Sequence, residues 1–336
     1  MLLDKTFVVD AEELFTDDPL LSKVEMPFEA MMSPYGFPLR LSTNSPAVIA
    51  AADTSWGCFK QKFTNLPLEL CIGVTQGGSN STDLPPVPVV RMLWGQVAVI
   101  ADANNFIVID LNAGRAFGWV TQSVVESSLY FRYYLLDGAI LYMISALRAG
   151  CLHAACVSVS GHGMLLCGST AAGKSTLAYA GARAGWTLVS DDASFLPMDR
   201  DDRLVVGNCH RIRFRSSAVE LFPELEMWPI TPRADNNPSV EVPTASFPEI
   251  LTADTASAEY LVFLNRNWRG DPELVPLEKE AILSWLKLSL TFAAARLPSV
   301  QDDVIRRLLS APIFELRYQY MSWAIDRINT LALTGL

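Results

Sequence analysis

The residues with the clearest chemical role stand together in the stretch CGSTAAGKSTLAYAG, at positions 167–181. Gly168, Gly173, Lys174 and Ser175 satisfy the pattern G-x-x-x-x-G-K-S/T, which a chain of this length meets by chance on the order of 1% of the time. Glycines allow a turn that curls main-chain N–H groups around phosphate oxygens, and the N-terminus of a helix favours the negative charge. The pattern therefore predicts a site for a nucleoside triphosphate.

Every position of this loop has an expected contact with the nucleotide, and the cofactors predicted are ATP and Mg²⁺. Lys174 supplies a point charge to the phosphates, and Ser175 offers its hydroxyl to the magnesium ion. The alternative is an ordinary turn with a surface lysine, but GMLLC before the loop indicates a buried strand and KSTLAYAGARAG after it a helix. The predicted nucleotide-binding positions are Gly168, Ser169, Thr170, Ala171, Ala172, Gly173, Lys174, Ser175 and Thr176.

Two acids, Asp191 and Asp192, follow the apolar segment WTLVS. The helix after the loop and this segment form a crossover that returns parallel to the strand before the loop, so acids and loop lie at strand carboxyl ends. We assign Asp191 to Mg²⁺ and Asp192 to the general base that meets an acceptor hydroxyl. A helix-capping or turn pair is the alternative for two adjacent aspartates.

His153 begins the segment HAACVSVS, which with MLLCG predicts an antiparallel hairpin. Folding that hairpin pairs Val159 with Met164 and carries His153 alongside Thr170 in the loop. His153 is therefore predicted to face the phosphates. A structural histidine is the alternative interpretation, since a lone His is more often that.

Arginines supply further candidate ligands for phosphate. In NCHRIRFR a period of two puts Arg211, Arg213 and Arg215 on one face of a strand and apolar residues on the other. Such a row could bind phosphates or an acidic substrate, whereas a solvated edge strand would show the same pattern. We carry Arg213 forward as a nucleotide ligand. Arg266, at the end of the apolar segment YLVFLN, is a second candidate for the triphosphate.

His153, the loop GSTAAGKS, the short helix after it and the ending VSDD resemble the catalytic core of the HPr kinase/phosphorylase family. Kinase-like relatives from peptide biosynthesis clusters belong to the same group. The resemblance implies that His153 is catalytic and that Asp192 activates an acceptor serine. It covers residues 152–196, and more weakly EYLVFLNR and the closing PIFELRYQYMSWAIDRINTL. The acidic, glycine-rich second signature of HPr kinases has no match, so neither HPr as substrate nor a reverse phosphorylase activity is implied.

The strands and helices predicted around these residues indicate an α/β fold of two domains. The resemblance implies a P-loop domain related to HPr kinase and phosphoenolpyruvate carboxykinase, with a mixed sheet, over residues 151–336. A smaller α+β domain over residues 1–150 precedes it, because short apolar runs fill the first 125 residues and a helix follows from about Val125 to Ala149. We expect this first domain to recognise the substrate.

Composition excludes several classes of partner. A formal charge of −10 and a pI near 4.9 argue against nucleic acid, since phosphate backbones need clustered Lys and Arg. The start MLLDKTFVVDAEELF lacks the pattern of a signal peptide, which predicts a cytoplasmic protein. The two most apolar stretches are interrupted by charge, so no membrane span is expected. Six cysteines without a Cys-x-x-Cys pair indicate reduced thiols. The chain could form a homo-oligomer.

The sequence thus predicts an ATP- and Mg²⁺-dependent kinase that phosphorylates a hydroxyl group, with a Ser of a protein or peptide as the favoured acceptor. A kinase of small-molecule hydroxyls could use the same site. A nucleotide-binding regulatory protein without phosphoryl transfer is a third hypothesis. It is disfavoured because a sensor needs the loop but has no use for His153 and the aspartate pair.

Overall fold

The computed structural model describes residues 25–75, 84–93, 95–231, 239–290 and 298–335. The N-terminal stretch that bears on a signal peptide and the end of the second apolar stretch lie outside these ranges. The described residues form a mixed α/β structure with three sheets. Within those residues, every helix is too short or too polar to cross a bilayer. All six cysteines are free thiols, and four of them are buried, which confirms the prediction of reduced thiols.

The first part of the chain forms a seven-stranded sheet, which confirms the predicted strand-rich region. Its strands are β1 (Phe28–Met32), β2 (Leu39–Thr43), β3 (Leu68–Thr75), β4 (Val89–Leu93), β5 (Gln96–Ile100), β6 (Phe106–Asp110) and β7 (Arg115–Thr121). The order is β1-β2-β3-β7-β6-β5-β4, with β3 parallel to β2 and β7. Alternate residues are more deeply buried along β5, β6 and β7, so one face of the sheet packs on a core.

Helices supply apolar side chains to that core. They are α1 (Pro46–Trp56), α2 (Gln122–Glu126), α3 (Ser128–Tyr130) and α4 (Asp137–Leu147), with a π-helical segment, Phe131–Leu136, between α3 and α4. The sequence predicted one helix from about Val125 to Ala149. The structure instead breaks it at Ser127, whose ψ is 69°, and widens the next turns into the π-helical segment. π-Helical turns often mark functional sites, and this one lines a cavity described below.

The described residues of the second part of the chain add thirteen strands. They are β8 (Ala149–Leu152), β9 (Ala155–Val159), β10 (His162–Cys167), β11 (Thr187–Ser190), β12 (Ser194–Pro197), β13 (Leu204–Gly207), β14 (Arg211–Arg215), β15 (Ile230–Thr231), β16 (Ser239–Pro243), β17 (Leu251–Thr252), β18 (Thr255–Asn265), β19 (Glu273–Pro276) and β20 (Ile313–Arg317). Ten of them form a mixed sheet in the order β17-β11-β9-β10-β18-β13-β12-β8, with β20 beside β18 and β19 beside β20. The other three form an antiparallel sheet, β14-β16-β15.

Four helices accompany these sheets: α5 (Lys174–Arg183), α6 (Lys279–Ser289), α7 (Pro298–Leu309) and α8 (Met321–Thr334). The strand β10 before the glycine-rich loop and the helix α5 after it confirm the predicted local context. Strand β18 contains most of the segment EYLVFLNR, and β20 followed by α8 forms the closing segment PIFELRYQYMSWAIDRINTL.

The predicted hairpin exists, but its predicted register is wrong by two residues. Val159 lies opposite His162, and Met164 lies opposite Val157. The turn contains only Ser160 and Gly161, both at positive φ (51° and 91°), and such two-residue turns match the twist of the flanking strands. The sequence interpretation assumed a four-residue turn over residues 160–163, whereas the positive φ of Ser160 allows the shorter one. His153 therefore lies before the hairpin, between β8 and β9.

Candidate active site

The glycine-rich loop connects the end of β10 to the first residue of α5. Three of its residues have positive φ: Gly168 (146°), Ala171 (67°) and Gly173 (95°). A Cβ added at Gly168 would lie 2.9 Å from the Cβ of Ala172, so the loop has no room for a larger residue there. A tight loop that ends at the N-terminus of a helix is the local geometry of many anion-binding sites.

Lys174 is buried within this loop, with only 5% of its surface exposed. Its Nζ atom donates hydrogen bonds of 3.1 Å to the carbonyl oxygens of Gly168 and Ser169. An ammonium group is costly to bury unless such contacts compensate it. The structure therefore places Lys174 inside the loop. The alternative, an ordinary turn with a surface lysine, does not explain why this side chain is buried.

A cavity of about 290 Å³ opens at the loop, and most predicted site residues line it. We call it the loop cavity. Four predicted residues, Gly168, Ser169, Ala172 and Asp191, are not in its wall. The predicted residues in its wall are His153, Thr170, Ala171, Gly173, Lys174, Ser175, Thr176, Asp192, Arg213 and Arg266. The chain thus brings side chains from separate elements around one cavity at a helix N-terminus.

Tyr318 belongs to the same region, although the sequence analysis missed it. A Cβ added at Gly173 would lie 3.5 Å from the Tyr318 hydroxyl and 3.7 Å from the Cδ atom of Arg266. This hydroxyl is buried and has no hydrogen-bond partner among the described residues, a state that costs about 1–3 kcal/mol. Burial raises the pKa of Tyr318 to about 12, so the hydroxyl remains a neutral donor. A phosphate oxygen in the loop is a partner that would suit both Tyr318 and Arg266.

The aspartate pair follows β11, as predicted. Strand β11 is antiparallel to β9, which is antiparallel to β10, so β11 runs in the same direction as β10 with β9 between them. Asp191 is buried, and its Oδ2 atom accepts the main-chain N–H of Arg213 at 2.7 Å. The Ser175 hydroxyl donates to the main-chain oxygen of Asp191 at 3.2 Å. Desolvation, and then the charge of Asp192, raises the pKa of Asp191.

Asp192 forms a pair with His153 that the sequence did not predict. The Nδ1 atom of His153 lies 3.0 Å from the Oδ1 atom of Asp192, and both side chains are about two-fifths exposed (41% and 43%). Both residues also line the loop cavity, so His153 lies beside the loop. The contact restrains the Asp192 carboxylate beside the loop.

A larger cavity, of about 470 Å³, is also lined by Asp192. We call it the aromatic cavity. Thr170, Asp192 and Arg213 line both cavities and form their shared wall. The aromatic residues of its wall all come from the first part of the chain. They are Tyr35, Trp56, Phe59, Tyr133, Tyr134 and Tyr142. The two cavities therefore meet at a carboxylate.

Charged side chains of the aromatic cavity are paired with one another. Glu241 accepts Arg213 at 2.7 Å and lies 3.3 Å from Arg211, whose side chain is only 17% exposed. The guanidinium of Arg213 also stacks 4.3 Å from the ring centroid of Tyr133. The predicted alternation of β14 is confirmed, but its arginines do not form a solvated face, because Arg211 and Arg213 line this cavity and Arg215 lines the loop cavity.

Asp137 adds a further acid to the aromatic cavity. Its Oδ1 atom accepts the indole N–H of Trp56 at 2.9 Å, and burial raises the pKa of its carboxyl. The wall thus contains four carboxyl groups, from Asp137, Asp191, Asp192 and Glu241, and two guanidinium groups.

The structure is similar to that of the Hpr(Ser) kinase/phosphatase from Coxiella burnetii, with a TM-score of 0.30 and 14% sequence identity. The similarity covers 55% of this chain and 95% of that chain. No protein-family model and no curated protein matches this chain. A similarity at this level carries no argument about chemistry, so the function is inferred from the residues of the site.

Proposed function

We propose that this protein is an ATP- and Mg²⁺-dependent kinase that phosphorylates a hydroxyl group, with a Ser of a protein or peptide as the favoured acceptor. The position of Asp192 is the observation that carries the proposal. Asp192 lines the loop cavity, as the buried Lys174 does, and it also lines the aromatic cavity. Phosphoryl transfer needs this arrangement, since a base must reach the acceptor while the nucleotide lies on its other side.

The residues around the loop fit a magnesium–nucleotide complex. The loop would bind the phosphates, together with Lys174, Arg266 and the buried hydroxyl of Tyr318. Ser175 and Asp191, which lie side by side, would provide oxygen ligands for Mg²⁺, and Mg²⁺ prefers such ligands. When bound, MgATP supplies the phosphoryl group that the acceptor hydroxyl receives.

The side chains of the site would then act by proton removal and charge neutralisation. Asp192 would accept the proton of the acceptor hydroxyl, and His153 would hold the Asp192 carboxylate in position through the 3.0 Å contact. Lys174 and Arg266 would neutralise negative charge on the loop side. Arg213 would position the shared wall, because its guanidinium is already held by Glu241 and Tyr133. Most of the catalysis would come from positioning and electrostatics, as in other phosphoryl transfers.

The aromatic cavity is the proposed acceptor site. Its volume lies within the range of about 300–1,000 Å³ that small ligands occupy in proteins. The excess of carboxyl groups in its wall favours an acceptor that is neutral or cationic near its hydroxyl, and aromatic rings can bind either kind. Because most of these rings come from the first part of the chain, we propose that residues 1–150 recognise the acceptor and residues 151–336 bind the nucleotide.

The volume of this cavity, within the range that small ligands occupy, also favours a second candidate, a kinase of small-molecule hydroxyls. Labelled ATP, incubated with the purified protein and either the protein fraction or the metabolite fraction of a cell lysate, separates the two. Label on a protein or peptide supports the first proposal, and label on a metabolite supports the second. ATP binding without transfer in either fraction would contradict both and indicate a regulatory role.

Filling the aromatic cavity at Gly138 should block the acceptor and spare the nucleotide. Gly138 lies in α4 and lines this cavity, and a Cβ added there would have no atom within 4 Å. Gly138→Leu should therefore fold normally while its side chain occupies the acceptor site. We expect acceptor phosphorylation to fall about 10- to 100-fold, which corresponds to roughly 1.4–2.7 kcal/mol, with ATP affinity nearly unchanged.

Gly138→Ala is the matched control, because one methyl group leaves most of the cavity open. Its rate should stay near that of the parent. ATP affinity is measured by calorimetry and transfer by the label on the acceptor. A parental transfer rate in Gly138→Leu would show that the acceptor binds elsewhere.

Asp191→Asn should raise the Mg²⁺ concentration needed for half-maximal ATP binding. Loss of a charged ligand costs about 1.5–3 kcal/mol, which corresponds to roughly a 10- to 100-fold higher requirement. The amide oxygen can still accept the N–H of Arg213, so the loop after β11 should keep its shape. Magnesium titrations monitored by ATP binding measure the effect, with Asp192→Asn as the control that keeps the parental requirement. An unchanged requirement in Asp191→Asn would remove Asp191 from the metal site.

A further inference from the structure

Cys209, His210 and Asp254 bring a thiol, an imidazole and a carboxylate together at the start of β14. Their candidate ligand atoms all lie within 4.8 Å of one another. The Sγ atom of Cys209 lies 3.5 Å from Oδ1 of Asp254, and Nε2 of His210 lies 3.6 Å from the same oxygen. Neither the loop cavity nor the aromatic cavity includes any of these three residues.

The two distances to Oδ1 of Asp254 match those expected between ligands of one tetrahedral metal ion. Zinc bonds of about 2.3 Å to sulfur and 2.0–2.2 Å to nitrogen or oxygen place neighbouring ligand atoms about 3.4–3.7 Å apart. The Nε2 atom of His210 is buried and has no hydrogen bond in the part of the chain that the structure describes. A cation between the three groups would satisfy this nitrogen.

The main chain holds the three residues in place. The main-chain oxygens of Cys209 and His210 accept hydrogen bonds of 2.7 Å and 3.0 Å from the side chain and main chain of the buried Thr244. The second oxygen of Asp254 lies 3.0 Å from Nζ of Lys62, which leaves Oδ1 directed at the cysteine and the histidine. Ligand carboxylates are commonly oriented by such outer contacts.

We propose that Cys209, His210 and Asp254 bind Zn²⁺, with the fourth position open to water. A donor set of thiolate, imidazole and carboxylate suits zinc and does not suit Mg²⁺, which prefers oxygen ligands alone. On binding, the Cys209 thiol loses its proton to solvent and a zinc–sulfur bond forms. The ion would hold His210 in place. His210 directly precedes β14, and Arg211 and Arg213 of that strand line the aromatic cavity. This site is independent of the proposed kinase activity.

Metal binding by the full chain tests the site directly. Protein stripped with EDTA is titrated with Zn²⁺ against a chromophoric chelator, and with Co²⁺ to detect sulfur-to-cobalt charge transfer. We expect one equivalent of Zn²⁺ with submicromolar affinity and a rise in Tm. Cys209→Ser should lose the charge-transfer band, and both Cys209→Ser and His210→Ala should weaken binding by more than about 100-fold. Cys71→Ser, on β3, is the matched thiol control and should bind as the parent does.

X-ray absorption of the zinc-loaded parent protein needs no variant and covers the case in which a substitution prevents folding. One sulfur at about 2.3 Å among nitrogen and oxygen ligands supports the site. The proposal is overturned if the parent binds no stoichiometric Zn²⁺, if its zinc has no sulfur ligand, or if folded Cys209→Ser and His210→Ala bind zinc as the parent does.

Discussion

Replacing Lys174 with alanine should remove ATP binding at submillimolar nucleotide. The Lys174 ammonium is buried in the loop and now contacts the carbonyl oxygens of Gly168 and Ser169, so it lies where the phosphates would meet it. Hydrogen bonds between a charged donor and phosphate contribute about 1.5–3 kcal/mol each, and the low exposure of the site reduces solvent screening. Because alanine has no group that can replace the ammonium, ATP affinity should fall by more than about 100-fold.

Calorimetry with MgATP measures this effect. Lys279→Ala is the matched control, because Lys279 also begins a helix, α6, but is exposed and has no glycine-rich loop before it. Circular dichroism should confirm that both variants are folded. Parental ATP affinity in folded Lys174→Ala would show that the triphosphate binds elsewhere, and the proposed function would lose its basis.

Asp192→Asn should slow phosphoryl transfer and leave nucleotide affinity nearly normal. The asparagine keeps the size of the side chain but cannot accept the proton of the acceptor hydroxyl. General base catalysis is worth roughly 10²–10⁴ in rate, so kcat should fall by about that factor. The rate is measured with saturating ATP on the acceptor that the labelling experiment identifies.

His153→Ala separates the base from the residue that positions it. His153 contacts Asp192 at 3.0 Å, so its loss should lower kcat less than Asp192→Asn does. The double variant should be little slower than Asp192→Asn alone, because His153 would act through Asp192. If Asp192→Asn transfers within a few-fold of the parent rate, Asp192 is not the base.

Local features of the catalytic region were predictable because short stretches of sequence determine them. The loop needs glycines at fixed positions, and the apolar runs on either side of it specify β10 and α5. The carboxyl-end position of the Asp191–Asp192 pair follows from a crossover that makes β11 run in the same direction as β10. The alternating pattern of β14 was likewise visible in the sequence.

Long-range packing was not predictable from these patterns. Arg213 is paired with Glu241, which is 28 residues away, and nothing in NCHRIRFR indicates that partner. The hydroxyl of Tyr318 reaches the loop only because β20 lies beside β18. Residues of α1, the π-helical segment and α4 line the aromatic cavity. For the π-helical segment and α4, the sequence predicted only one continuous helix. The hairpin register failed for a local reason, the positive φ of Ser160.

The wall shared by Thr170, Asp192 and Arg213 has a thermodynamic consequence. A ligand that shifts any of these three side chains changes both cavities at once, so occupancy of one must alter the free energy of occupying the other. Linkage requires the effect to be reciprocal: an acceptor that strengthens nucleotide binding by some factor is itself bound more tightly, by that factor, when the nucleotide is present. The affinity measured for the nucleotide alone or for the acceptor alone would then understate how well the ternary complex discriminates between acceptors. Part of that discrimination would come from cooperativity between nucleotide and acceptor binding.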